Sequence, residues 1–508
     1  MLESVTMLLS GFSEAMVLKN ILAAFAGSLV GTLAGILPGL GISGSIALLL
    51  PLSYGMEPLT ALIMFSGIYY GAMYGGSTTS ILVNVPGEGA SVVTCLQGHA
   101  MAKRGRAGAA LCLCALGSFI AGTIGIIGLT FFAPVLSRWA LKFGPPEYMM
   151  IAALGLILLA NMTGKSKVKS YMMILLGMML GTVGMDTTGT IARYTFGSLN
   201  LLEGLEFIMV IMALFGLGEI IDTMIHPVDT TVNQKVRVRD LYPNKEEAKR
   251  SVGPIARGSV VGFLMGLLPG PAMSLSTYVS YSIEKKLSKR PKEWEGYGAV
   301  EGVAGPESAN NAASSAQMIP LLALGLPFSS SAALLVSGFR IHGIVPGPRL
   351  MTMYPKLFWG LVASMYIGNL ICLILNLPLV PAFAKILKIR MKILMPIVTL
   401  ITFTGAYALN YSMFDLSMLV LFGFIGWFLA KGEYSLAPIA VGMFLGPQFE
   451  SSLKQSLNMF DGHISMLFSR PIAGTLTVIM ILSILWTIYQ SIRKMMSGKE
   501  DEVIIEAD

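Results

Sequence analysis

Long stretches without a single Asp, Glu, Lys or Arg divide this chain. They cover residues 20–56, 58–87, 107–137, 148–164, 170–185, 258–283, 308–339, 357–384, 393–414 and 471–492. Shorter uncharged runs lie at 207–218, 416–430 and 434–449. A membrane helix needs about 20 apolar residues to cross a hydrocarbon core of about 30 Å, and charge at that depth is costly. The pattern therefore predicts an all-α polytopic membrane protein with about 10–12 crossings. Apolar and polar residues do not alternate with period two, which argues against a β-barrel.

Many of these runs are interrupted. Pro38, Pro51, Pro86, Pro269, Pro320 and Pro327 fall inside or beside them, usually with Gly. Proline removes a backbone donor and breaks helices. Non-helical backbone at membrane depth survives only where protein or a wet cavity satisfies it. Broken or re-entrant helices are therefore expected at the Gly/Pro motifs.

The chain also repeats itself. GSLVGTLAGILPG (27–39) and GSVVGFLMGLLPG (258–270) agree at nine of thirteen positions, mostly Gly and Pro at fixed spacing. SILVNVPG (80–87) and LLALGLPF (321–328) form a fainter second pair. Two structural repeats follow. In the first copy the loop after the break, SYGMEP (53–58), carries no Lys or Arg. In the second copy the matching loop is KKLSKRPK (285–292). If basic loops share one side, the copies are inverted, as in many secondary transporters. A tandem duplication with irregular loops is the alternative.

Composition agrees with a membrane solvent. Of 508 residues, 54% are hydrophobic and 12% charged, and mean hydropathy is +0.71. A soluble domain carries about 25% charge. The net charge of +7 comes from clusters between apolar runs: 103–106, 165–169, 235–239, 285–292 and 385–392. Their scatter reads as topogenic, with these loops cytoplasmic, rather than as a nucleic-acid surface. The predicted organisation is an interfacial helix (1–18), a first repeat (19–222), a charged cytoplasmic linker (223–253), a second repeat with C-terminal helices (254–492) and a cytoplasmic tail (493–508). Four cysteines, two of them Cys112 and Cys114 in one apolar run, form no disulfide framework, and no metal site is expected.

Three polar islands sit inside the uncharged stretches: 37–45, 74–91 and 301–331. Each sets Ser, Thr or Asn beside Gly and Pro, as suits a broken helix whose free N–H groups and hydroxyls face an anion, or whose carbonyls face a cation. They supply Ser43, Ser77, Thr78, Asn310, Asn311 and Ser314 as candidates. Two adjacent amides are costly in hydrocarbon and need partners; substrate binding and structural hydrogen bonding both answer that need. Glu301 and Glu307 flank the third island and are candidates for proton or sodium coupling, against a place at a helix end near water. Arg340 and His342 follow the same stretch and could meet a substrate carboxylate or belong to a loop. Enzyme motifs carry little weight. GLGISG (39–44) follows a membrane helix and no strand, so it does not mark a dinucleotide site. GISG (41–44) fits an intramembrane serine protease, but none of the four histidines lies mid-run. There is no Walker A and no H-E-x-x-H.

At these islands the sequence resembles the large membrane subunit of tripartite tricarboxylate transporters. The resemblance is carried by LPGLG (37–41), YGGS with ILVNVPG (74–87), TCLQGHAMAKRGRAG (94–108), EGVAGPESANNA (301–312), IPLLALGLP (319–327) and HGIVPGP (342–348). It implies a bacterial inner-membrane permease, not an enzyme. Such permeases work with a small membrane subunit and a periplasmic substrate-binding protein, and import di- or tricarboxylates such as citrate on a proton or sodium gradient, without another cofactor. Carried over, the resemblance implies substrate contacts at Gly39, Gly41, Ser77, Asn84, Pro86, Gly87, Asn310, Asn311, Gly325 and Pro327. Three positions depart from the pattern: Gln97 where relatives carry an acid, Pro271-Ala272 in place of a Gly, and Phe328 after Pro327. Phe328 is expected to narrow the site, which loosens any strict preference for citrate. The expected mechanism is alternating access, with one part sliding against the other. A passive channel and a non-transporting scaffold are the alternatives; a channel would show charged rings or a repeated carbonyl filter.

Overall fold

A computed structural model describes residues 2–36, 41–163, 166–186, 191–226, 242–377, 379 and 391–497. Gly39, residues 227–241 of the 223–253 linker and residues 498–508 of the tail lie outside the described residues. Helices α1 (Leu2–Ala15), α2 (Leu18–Ile36), α3 (Gly41–Leu49) and α4 (Pro58–Val83) open the chain. A helical path from Gly89, with wide π turns at Cys95–His99 and Ala102–Arg106, leads into α5 (Ala107–Ala140). Then come α6 (Pro145–Met162), α7 (Lys167–Gly181), a small hairpin of β1 (Gly184–Met185) and β2 (Ala192–Arg193), and α8 (Phe207–Ile225). The second half holds α9 (Lys245–Gly266), α10 (Ala272–Leu287), α11 (Glu301–Leu324), α12 (Ser330–Ile341), α13 (Pro355–Asn376), α14 (Met391–Asn410), α15 (Met413–Lys431), α16 (Ala437–Met459) and α17 (Pro471–Ser497).

Local chemistry sets these boundaries. Pro stands in the first turn of α4, α6 and α13, where its missing N–H costs nothing. Asn244 caps α9 reciprocally with Glu247: its Oδ1 accepts from the Glu247 N–H at 2.8 Å, and Glu247 Oε2 accepts from the Asn244 N–H at 2.7 Å. α4 ends on Asn84 (φ 61) and α11 on Gly325 (φ 73), both left-handed C-caps. Pro320 does not interrupt its run as expected. α11 continues through Pro306 and Pro320 and breaks only at Gly325. Neighbouring helices enclose α11 on all sides, a setting in which an interior proline is tolerated in membranes.

The repeated glycines let helix backbones touch. A Cβ on Gly27, Gly31 or Gly35 would stand 2.1–2.2 Å from the carbonyl oxygens of Met64, Ile68 or Ala72, so α2 lies directly on α4 and parallel to it. In the second copy Gly258, Gly262 and Gly266 meet the carbonyls of Gly305, Ala309 and Ala313 in the same way. Small residues permit this close approach where lipid offers no competing drive. The second sequence pair corresponds as well. Asn84 matches Gly325 in conformation, Pro86 matches Pro327, and Glu88 (φ −151, ψ 165) matches Ser329 (φ −144, ψ 163) as the extended residue that opens the next helix.

The repeats run in opposite directions. Between α4 and α11, Tyr70 pairs with Ser315 and Ser77 with Glu307, so the two central helices are antiparallel. Each repeat then lends a helix to the other. α5 lies along α11, where Gly117 faces Ser308 and Gly125 faces Ser315. α13 lies along α4, with Gly360 at Leu59 and Asn369 bonded to the Tyr74 hydroxyl at 2.7 Å. α1 packs on α13, with the Gly11 backbone against Trp359. Two of the basic loops, 103–106 and 285–292, meet the starts of α9 and α11 at one end through the ion pairs Arg106–Glu247, Arg290–Glu246, Arg250–Glu293 and Arg250–Glu301. Lys19 and Glu57, at the starts of α2 and α4, pair at the other end.

Seven helices of the described residues are long and apolar enough to cross a membrane: α2, the path Ala102–Ala140, α6, α8, α13, α15 and α17. In α15 and α17 only 22% and 11% of the apolar window is buried, so their side chains face outward, as suits lipid. α4 and α11 are also long, but almost every residue in them is buried, and they carry the hydroxyls, amides and carboxylate of the interior. The core lies between these two helices, around Phe65, Tyr69, Tyr70 and Met318.

Candidate functional site

Four helices of the two repeats begin around one cavity of about 450 Å³, within the usual size of a small-molecule site. α3 brings Gly41, Ile42 and Ser43. The path after the first break brings Pro86, Gly87, Glu88 and Gly89. α10 brings Pro271, Met273 and Ser274, and α12 brings Ser329, Ser330 and Ser331. The first-turn N–H groups of a helix have no acceptor within it, and the helix dipole adds partial positive charge there. Hydroxyls of Ser43, Ser274, Ser330 and Ser331 stand among them; Ser43 Oγ and Ser330 Oγ are 3.0 Å apart and join the two repeats. The far wall comes from Leu159 and Thr163 at the end of α6, Phe215 and Glu219 on α8, and Ala437 on α16. No Lys, Arg or His lines this cavity among the described residues.

Each candidate has a definite place. Gly41 opens α3 with φ +53, and it lines the cavity together with Ser43, Pro86 and Gly87. Gly87 is the point of closest approach, since a Cβ there would stand 2.2 Å from the Gly35 carbonyl. Asn310 is fully buried and reaches the cavity through Glu88, whose Oε1 accepts from its Nδ2 at 2.9 Å. Asn84 is exposed at the end of α4, and Pro327 is buried outside the cavity lining. Ser314 donates to the Asn311 carbonyl at 2.8 Å inside α11.

Glu307, Ser77, Thr78 and Asn311 form a separate polar cage behind the cavity. The Glu307 carboxylate is 1% exposed. It accepts from Ser77 Oγ at 2.6 Å, Ser118 Oγ at 2.9 Å, Asn311 Nδ2 at 3.3 Å and Thr94 Oγ1 at 3.4 Å. Among the described residues no cation pairs with it. A void of about 10 Å³, room for one water-sized occupant, lies beside it and is lined by Tyr74, Thr78 and Asn376. The Oδ1 atoms of Asn311 and Asn376 are buried without a partner. Glu301 stands elsewhere: it holds Arg250 at 2.7 Å near the basic end and lines neither the cavity nor the cage.

A second cavity, of about 440 Å³, opens beyond the other break. Gly325 lines it with Arg340, Pro346, Phe444 and Gln448. The Arg340 guanidinium lies 4.3 Å from the centre of the Phe444 ring. Phe328 lines the first cavity and packs against Gly155 of α6, so it does stand where it narrows the space. Gln97 accepts from the Ala299 N–H at 2.8 Å and donates to the Trp294 carbonyl at 3.2 Å, and an ionised acid could not donate there.

Glu88, Glu219, Ser274 and the Ser329–Ser331 run are the cavity residues that sequence reasoning did not single out. Glu88 did carry a signal: it is the one acid in the second polar island. Glu219 closes an uncharged run and reads as an interfacial residue.

A 52.8 kDa protein of Agrobacterium vitis, described as uncharacterized in the TAR-I ttuC' 3' region, is 43% identical over 508 residues, all of both chains. A second, described as uncharacterized in the TAR-II ttuC' 3' region of the same organism, is 41% identical over 247 residues, 49% of this chain and all of its own. No solved structure matches this chain. The family model described as "Tripartite tricarboxylate transporter TctA family" matches residues 21–441. This chain therefore belongs to the TctA family and is a multi-pass membrane component of a tripartite transporter.

Proposed function

We propose that this chain is the large permease subunit of a secondary transporter that imports a di- or tricarboxylate across the bacterial inner membrane. The observation that carries this reading is the convergence of four helix N-termini from two inverted repeats on one cavity. Peptide N–H groups and serine hydroxyls there suit a carboxylate and cost no buried Lys or Arg. A periplasmic binding protein would deliver the anion, and a small membrane subunit would complete the assembly. Arg340, in the second cavity, would meet the carboxylate before it reaches the first. Gly39, Gly41, Ser43, Pro86 and Gly87 would hold the bound anion, with Asn310 acting through Glu88.

Uptake would be driven by a proton or sodium gradient. The carboxylate of Glu307, without a counter-charge among the described residues and beside a void for one small occupant, is the candidate for the coupling ion. Glu301 is the weaker candidate, since Arg250 already neutralises it. Alternating access would come from the repeat core, α2–α5 with α9–α13, moving against the wall of α6, α8 and α16 that closes the cavity. The basic loops and the C-terminal tail would be cytoplasmic.

Counterflow in proteoliposomes containing the assembled transporter tests this. Labelled citrate or succinate should accumulate transiently against an excess of unlabelled substrate inside, which a channel does not support. Absence of counterflow with every di- and tricarboxylate offered would sink the proposal.

A further inference from the structure

We propose that Glu88 is a proton-binding residue of the anion cavity, protonated when the substrate is bound and released from its proton when the substrate leaves. The inference rests on the reading of this cavity as a carboxylate site. The cavity contains a carboxylate of its own, and a bound anion would share the space with it. Like charges in a low-dielectric site disfavour joint ionisation, so one of the two must be neutral. The substrate carboxylate has the helix N-termini to stabilise its charge.

The neighbours of Glu88 point the same way. Asn310 Nδ2 donates to Glu88 Oε1 at 2.9 Å, while Asn310 Oδ1 is buried without a partner. An ionised carboxylate has no hydrogen to give it. A proton on Glu88 adds the one donor this pair lacks and permits the two-bond pairing of a carboxylic acid with an amide. Among the described residues no counter-charge competes for that role. α4 presents Gly76 and the Tyr69 hydroxyl side, α11 presents Asn310 with Glu307 behind it, α10 presents Ser274, and α8 presents Glu219 across the cavity. None of these is a cation.

The step balances simply. Glu88–COO⁻ takes H⁺ from the solution to which the cavity is open and becomes Glu88–COOH as the anion binds. The reverse occurs on the other side, so one proton accompanies each substrate. This is independent of what occupies the Glu307 cage.

The test uses the full chain with its partner subunits in proteoliposomes, with labelled succinate at a pH where it is fully ionised. If wild type shows counterflow neither with succinate nor with any other di- or tricarboxylate offered, the carboxylate reading itself fails. Given counterflow, Glu88→Gln should lose at least about tenfold more of the accumulation driven by an inward proton gradient than it loses of counterflow. Glu88→Asp should retain part of that accumulation. Proton-driven accumulation unchanged in Glu88→Gln, or none in wild type, would overturn the proposal. If Glu88→Gln does not fold, proton uptake by wild type on succinate binding decides, read with a dye in weak buffer. One proton per succinate supports the assignment, and none refutes it.

Discussion

Asn310 and Asn311 are neighbours in sequence, but the helix turns them to different tasks. Asn310 serves Glu88 at the cavity and Asn311 serves Glu307 in the cage. Removing the Asn310 amide takes from Glu88 its partner in the acid–amide pair, whose two hydrogen bonds contribute about 0.5–1.5 kcal/mol each. Asn310→Ala should therefore cut uptake by about ten- to a hundredfold, measured on protein that remains monodisperse. Uptake equal to wild type would take Asn310 out of the site. Gly31 makes a different demand. A Cβ there falls 2.2 Å from the Ile68 carbonyl, so Gly31→Val must push α2 off α4, and overpacking costs about 1–3 kcal/mol. Its melting temperature in detergent should drop, whereas Gly55→Ala, with open space around it, should not move. The two amides were legible in the sequence because an unpaired Asn is conspicuous in an uncharged run. Glu88 carried only the weak signal of being the one acid in its polar island, because it stands just past an uncharged run and acquires its meaning when α11 brings Asn310 to it across 222 residues. The same limit explains Glu301: its partner Arg250 is 51 residues away, too far for any local pattern to reveal.

At the level of elements, the starts of four helices line the first cavity. The first repeat pair was readable because close backbone contact at three successive turns demands Gly, and that demand is written as spacing. The second pair was faint because Asn84 and Gly325 adopt one left-handed conformation with different side chains. The wall from α6, α8 and α16 was not readable, since an apolar helix face looks alike whether lipid or a cavity lies against it. Joining the elements yields a direct test. With Oγ atoms 3.0 Å apart, Ser43→Cys with Ser330→Cys should form a disulfide on mild oxidation, in a background lacking the four native cysteines. A protease site placed in the 227–241 linker and a gel would show whether the halves stay joined; free separation would mean that α3 and α12 do not meet. At the basic end, burial alone would raise the Glu293 carboxyl, but hydrogen bonds and charge from Arg250 and Arg290 outweigh it and hold the group below the usual carboxylate range. A lowered value means the stabilisation is present above that range and is lost as pH falls through it. Arg250→Ala should bring acid-induced unfolding to higher pH, and an unchanged acid midpoint would show that the ion pair does not stabilise this end.

For the whole molecule, inversion is the property from which alternating access can arise. α2 and α4 run one way, α9 and α11 the other, and α5 and α13 cross over to lie against the opposite repeat. Two copies of one motif in opposite orientations can exchange conformations, so that a cavity open to one side in one arrangement opens to the other when the copies trade roles. The first cavity lies among the starts of four helices, and the second lies beyond the Gly325 break with Arg340 in it, so the two cavities flank the same set of broken helices. This geometry requires that the loop after the first break and the loop after the second face opposite solutions. The ion pairs already separate them: Glu57 joins Lys19 at one end, and Arg290 joins Glu246 at the other. Single cysteines at Gly55 and Lys289 should therefore react with an impermeant maleimide from opposite faces of the membrane. In intact cells with a permeabilised outer membrane, Gly55→Cys should label and Lys289→Cys should not, and inside-out vesicles should reverse the pattern. Labelling of both from one face would mean that the repeats are tandem rather than inverted, and the exchange of roles that gives the cavity two exits would have no structural basis.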